Sequence, residues 1–206
     1  MTTLPLLWAE TEDVGELLRS DASSSWVRDH LELRYALEPL DTLDAAALAR
    51  LDRLILAQPR ALSPEENVAL DGWVRSGGRL LLVADPMLTR HSRFALGDKR
   101  RPQDVALLSP ILAHWGLELR FDESQTEGER TVRIADHDVP VDVAGYFVAR
   151  PAASCSLSGK GLLASCRIGK GYVIALADAA LLDDAEQGAD DARRASLSRL
   201  AALAFD

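Results

Sequence analysis

Four polar residues each follow directly on an apolar run: Glu10 after residues 4–9, Gln58 after 53–57, Asp85 after 79–84 and Asp178 after 172–177. If those runs are strands of one sheet, the four side chains gather along its carboxyl rim, where open α/β sheets bind ligands. Three of the four are acidic. Glu10, Asp85 and Asp178 could hold Mg²⁺ or Ca²⁺, weakly, or serve acid–base chemistry in a metal-dependent hydrolase or a sugar-binding domain. The simpler expectation is that such residues cap the turns and helices that follow them. A second cluster lies just downstream. Arg90, His91 and Arg93, with Lys99, Arg100 and Arg101, form a local basic patch in a breaker-rich stretch at 88–104. It could receive a phosphate or an acidic partner surface. Because it leaves the chain at Asp85-Pro86, this loop should overhang the rim, and its hydration predicts that it faces solvent rather than folding down as a lid.

Other chemistry finds little support. There is no G-x-S-x-G elbow. Cys155 and Cys166 fall inside alternating apolar stretches, where a free cysteine acts as a small hydrophobe. Gly159-Lys160-Gly161 and Gly169-Lys170-Gly171 lack the spacing of phosphate loops and read as turns. No cofactor is expected, and no catalytic residue is assigned.

The elements that must position the rim alternate between strand and helix. Residues 4–9 and 53–57 read as strands, with helical stretches at 23–31 and 43–51 and an edge strand at 33–37 between them. Ser63-Pro64-Glu65-Glu66 is a capping box with proline at the first helical position. Leu70, Trp73 and Val74 then form an apolar stripe, and Gly77-Gly78 ends the helix. The near-continuous run at 79–84 fits a central strand covered on both faces. A helix over 105–115 and a strand over 117–121 follow. From 130 to 168 the pattern turns to alternation, with hairpins around 136–138 and 169–171. Residues 193–205 close as a helix. The reading is one α/β domain over 1–206, an open, mostly parallel sheet with an antiparallel segment at about 130–168 and a last strand that rejoins the sheet.

Composition bounds the rest. A chain of 206 residues buries roughly 70% of its unfolded surface and needs no disulfide or metal to stay folded. A net charge of −9 disfavours nucleic acid as the main partner. No apolar run approaches the roughly 20 residues of a membrane span. Residues 1–10 lack the basic flank of a signal peptide, and two cysteines make no secreted disulfide framework. A cytoplasmic location is expected.

Leu54-Ile55-Leu56, Leu62-Ser63-Pro64-Glu65-Glu66, Leu70-Asp71-Gly72-Trp73-Val74 and the run from Gly77 to Pro86 resemble the auxiliary domain of uncharacterised ABC-type transport systems of the GldG gliding-motility kind. The run from Gly169 to Ala179 looks like that family's closing strand. The resemblance covers about 50–180 in pieces. It implies a flavodoxin-like layout, similar to the class I glutamine amidotransferases. It does not imply amidotransferase activity, because neither cysteine stands at a strand–helix elbow. A non-enzymatic binding or assembly module is therefore expected, with a protein partner such as a membrane transporter subunit. Self-association through exposed strands at 130–168 is a further expectation.

Overall fold

The computed structural model describes residues 1–7, 24–95, 97–183 and 191–206. Glu10 and the end of the first apolar run lie outside the described residues. The order of elements is α1 (Trp26–Glu32), α2 (Ala45–Leu48), β1 (Arg53–Ala57), α3 (Pro64–Ser76), β2 (Arg79–Val83), α4 (Ser109–His114), β3 (Leu117–Arg120), β4 (Arg130–Ile134), β5 (His137–Val141), β6 (Tyr146–Ala149), β7 (Cys155–Ser158), β8 (Leu163–Ile168), β9 (Gly171–Leu176) and α5 (Asp191–Phe205).

Local chemistry accounts for the clearest of these. The Ser63 hydroxyl accepts from the Glu66 amide while Glu66 accepts from the Ser63 amide, the reciprocal pair that the sequence predicts. Pro64 opens α3, and Gly77, at φ 127°, closes it in a conformation that a residue with a β-carbon adopts only under strain. Helix α1 is capped by Ser25, so it begins later than the 23–31 reading. Helix α2 is a single turn capped by Asp44.

The main sheet runs in the order β1-β2-β9-β8-β7. Strands β1, β2 and β9 are mutually parallel, and β8 and β7 return antiparallel. The sheet is thus mixed, with a parallel half and an antiparallel half. Beside β1, residues 1–3 add a short parallel rung: Ala57 N donates to Met1 O, and Thr3 N donates to Gln58 O. The expected strand at 33–37 does not form; this stretch is irregular. Strand β3 also departs from expectation, because it leaves the main sheet and pairs antiparallel with β6. The hairpin β4–β5 stands apart as a third sheet and packs through β5 against α5. Helix α5 also covers β2 and β9, and α3 packs on β9. Burial matches this layering: Leu80, Leu81, Leu82, Ile174 and Leu176 are fully enclosed. The α3–β9 approach is close enough to require glycine. A β-carbon on Gly171 would sit 2.0 Å from Val74 O and 2.4 Å from Gly78 O.

Cys155 and Cys166 are joined in a disulfide, which corrects their reading as free hydrophobes. They lie directly opposite each other on β7 and β8. The next pair along, Ser154 and Arg167, is hydrogen-bonded, so the cysteines occupy the closer, non-hydrogen-bonded site of the ladder. The staple therefore holds the edge strand of the main sheet to its neighbour.

Candidate functional site

Because β1, β2 and β9 are adjacent and parallel, the residues that follow them come together. Gln58, Asp85 and Asp178 stand side by side along the carboxyl rim, and all three are buried.

Gln58 adopts a left-handed backbone (φ 42°), unusual for a residue with a side chain, and its amide is fully engaged. Its Nε2 donates to Asp85 O at 3.0 Å and to Gln103 O at 2.8 Å, and its Oε1 accepts from Asp85 N at 2.8 Å. The side chain thereby extends the β1–β2 ladder by one artificial rung. It also pins the far end of the basic loop, since Gln103 N donates in turn to the Thr3 hydroxyl.

Asp85 divides its oxygens between two segments. Oδ1 accepts from Met87 N at 2.8 Å, shaping the exit of β2, and Oδ2 accepts from Ala179 N at 3.0 Å, reaching across to the exit of β9. Asp178 does likewise, accepting from Ala180 N at 2.8 Å and from Asp142 N at 3.0 Å. Burial pushes the Asp85 carboxyl up to about 6 against the pull of its two amide donors, and Asp183 and Asp142 add like charge. Burial, and then the charge of Asp85, also raises Asp178 well above the usual carboxylate range. The pair cannot comfortably hold two negative charges.

Chemically, this is a set of clasps. All four carboxylate oxygens accept backbone N–H groups, so a cation would have to displace those bonds to reach them. Among the described residues, no group of three or more His, Cys, Asp or Glu is placed to hold a metal ion.

The basic loop divides in two. Arg90 comes down from it and pairs with Asp183 at 3.0 Å, with both side chains largely covered. This corrects the reading of a wholly solvent-facing loop: the loop is latched at Arg90, onto the carboxylate whose charge bears on Asp85 and Asp178. The physical reason is the cluster of buried acids at the sheet end, which favours a nearby guanidinium. Further out, His91, Arg93, Lys99 and Arg100 are exposed. Arg100 pairs with Asp98 and lies over the Phe94 ring, and Arg101 donates to Phe94 O. Asp142, Gln103 and Asp183 are the members of this arrangement that sequence reasoning missed. Gln103 takes part through its backbone, where residue type carries no signal; Asp142 takes part through its amide as well as through its charge on Asp85; and Asp183 is hidden in the acidic run that it opens.

A family model described as ABC-type uncharacterized transport system matches residues 14–147. No curated protein matches the chain. Among solved structures, the mmIFT52 N-terminal domain is similar at TM-score 0.61 and 13% identity, covering 87% of this chain and 89% of that chain. The two therefore share an architecture. Weaker likenesses include the exo-beta-1,4-mannosidase Op5Man5 from Opitutaceae bacterium strain TAV5 (TM-score 0.47, 17% identity, 81% of this chain, 27% of that one). Another is Gan42B, a GH42 beta-galactosidase (TM-score 0.45, 16% identity, 75% and 22%).

Proposed function

We propose, from the premise that the chain belongs to the ABC-type uncharacterized transport system family, that it is a non-enzymatic assembly module of such a transporter. The observation that carries this reading is the family match over 14–147. The geometry of the rim supports it. Gln58, Asp85 and Asp178 commit their polar atoms to loop ends, which suits a rigid scaffold better than a catalytic centre. No helix among the described residues is long and apolar enough to cross a membrane. We assign the contact with the transporter to a surface of the domain.

That surface is the outer part of the basic loop. His91, Arg93, Lys99 and Arg100 stand exposed on a chain of net charge −9, while the base of the loop is pinned at Gln103 and at Arg90. A basic edge held on a rigid rim fits an acidic patch on a partner subunit, with the charges steering encounter. The test is affinity purification from native membranes in low and moderate salt. Recovery of the transporter's ATPase or permease subunit, lost on Lys99→Glu with Arg100→Glu, is the expected result. A preparation free of both subunits would overturn the reading.

A further inference from the structure

A cavity of about 750 Å³ lies between the first residues of the chain, α1, the irregular stretch at 34–41 and the face of β1. Its size falls in the ~300–1,000 Å³ range of small-molecule sites. Much of its wall is apolar, including Leu4, Leu31, Leu37 and Ile55. Two polar groups at that wall have no partner suited to them among the described residues. The Tyr35 hydroxyl is buried and makes no hydrogen bond there, a costly state that a ligand acceptor would relieve once the side chain turns toward the cavity. Arg53, exposed at the start of β1, makes no ion pair with any described residue, whereas the three other arginines of the wall do: Arg28 with Glu32, Arg34 with Asp206 and Arg50 with Glu38. The two groups are neighbours, since the Arg53 guanidinium carbon lies 5.9 Å from the centre of the Tyr35 ring.

We infer that this cavity binds a single-chain carboxylate amphiphile, a fatty acid, with its alkyl chain against the leucines and its carboxylate between Arg53 and Tyr35. The chemistry selects the class. One guanidinium without an ion-pair partner matches one negative charge, and the planar fork of arginine matches a carboxylate. The phenol, whose ring centre lies 5.9 Å from that guanidinium, supplies a second donor nearby. The alkyl chain would cover side chains such as Leu37 and Ile55, which the fold leaves only half-buried. This site is separate from the rim and from the proposed transporter contact, so either reading can fail without the other.

The test uses the purified protein and a fluorescent dansyl-undecanoate probe displaced by laurate or palmitate. Saturable one-to-one binding is expected, weakened about tenfold by Arg53→Gln and several-fold by Tyr35→Phe, which keeps the ring and its packing. Methyl laurate should bind the unaltered protein more weakly than laurate, and Arg53→Gln should leave that weaker binding unchanged. No saturable displacement, or equal affinity for acid and ester, would overturn the inference. So would undiminished laurate binding in a folded Arg53→Gln variant.

Discussion

The buried pair at the rim makes a prediction about pH that runs against the usual behaviour of acidic side chains. Asp85 titrates at about 6 in the folded protein, against 3.8 when exposed. The folded state therefore binds its proton more tightly, and stability from this group is fully present below 3.8 and lost as pH rises through 6. Over the whole range the loss is about 3 kcal/mol, since each tenfold change in proton affinity is worth ~1.36 kcal/mol. Between pH 5 and 7.5 it is about 1.4 kcal/mol, because much of the loss has already occurred below pH 5, where the unfolded chain ionises first. Asp178 acts in the same direction. Glu66 acts in the opposite one: held down to about 2, first by its hydrogen bonds from Arg60, it stabilises above its unfolded value and withdraws that support as pH falls below 4.5. From Asp85 and Glu66 together, stability should peak at about pH 4 and fall above it. The net charge of −9 also disfavours the folded state as pH rises, so the pair must be isolated from it. Asp85→Asn does this: it removes one charge of many, deletes the titration of Asp85 and lowers that of Asp178. Urea unfolding followed by tryptophan fluorescence at pH 5, 6 and 7.5 should show the variant losing at least ~1.4 kcal/mol less than the parent across that interval. A variant that declines as steeply as the parent would refute the reasoning.

Three further outcomes follow from the geometry. Gln58→Ala leaves the buried Asp85 amide and Gln103 carbonyl without their partner and should cost about 2–4 kcal/mol in urea unfolding; a loss under ~0.5 kcal/mol would mean that the side chain is not a clasp. Gly171→Ala drives a β-carbon into backbone oxygens of Val74 and Gly78 and should cost about 3 kcal/mol or more, read as a large fall in Tm; an unchanged Tm would refute the close α3–β9 approach. Reducing the Cys155–Cys166 bond, whose partners are 11 residues apart, should lower stability by roughly 3 kcal/mol, while a Cys155→Ala, Cys166→Ala variant should ignore reductant; titratable thiols in the native protein would contradict the staple.

The parts of the fold legible in the sequence are those set by local rules. Ser63, Pro64, Glu66 and Gly77 mark both ends of α3 through caps that need no distant partner, and the strands on either side are short apolar runs with polar stops. Those stops also placed Gln58, Asp85 and Asp178 on one rim, because a parallel sheet brings its strand ends together. What the three do there was not legible, since their partners are the amides of Asp85, Met87, Asp142, Ala179 and Ala180 and two backbone carbonyls, and backbone groups carry no sequence signature. The disulfide depends on the register of β7 against β8, which the 159–162 turn sets. Pairing between β3 and β6 was hidden for a similar reason: a strand's own pattern reports which face it buries, not which neighbour it chooses. The irregular course of 33–40 shows that limit from the other side, as alternation without a partner strand.

The strand order also constrains how the chain can assemble in time. Strand β2 lies between β1, which Arg53 places beside Arg79, and β9, which brings Tyr172 to the other side of the same Arg79. The first contact joins segments linked by a single helix; the second spans nearly half the chain. Strands β8 and β9, joined by the tight Gly169-Lys170 turn, form a local hairpin and can pair with each other at once. The low-cost route is therefore two preassembled halves, β1-α3-β2 and the antiparallel β7-β8-β9 meander, that meet when β9 docks onto β2. On a ribosome the amino-terminal half waits with the unpaired edge of β2 exposed until residues near 176 emerge. That interval is when the nascent chain is most exposed to mispairing and has most need of a chaperone.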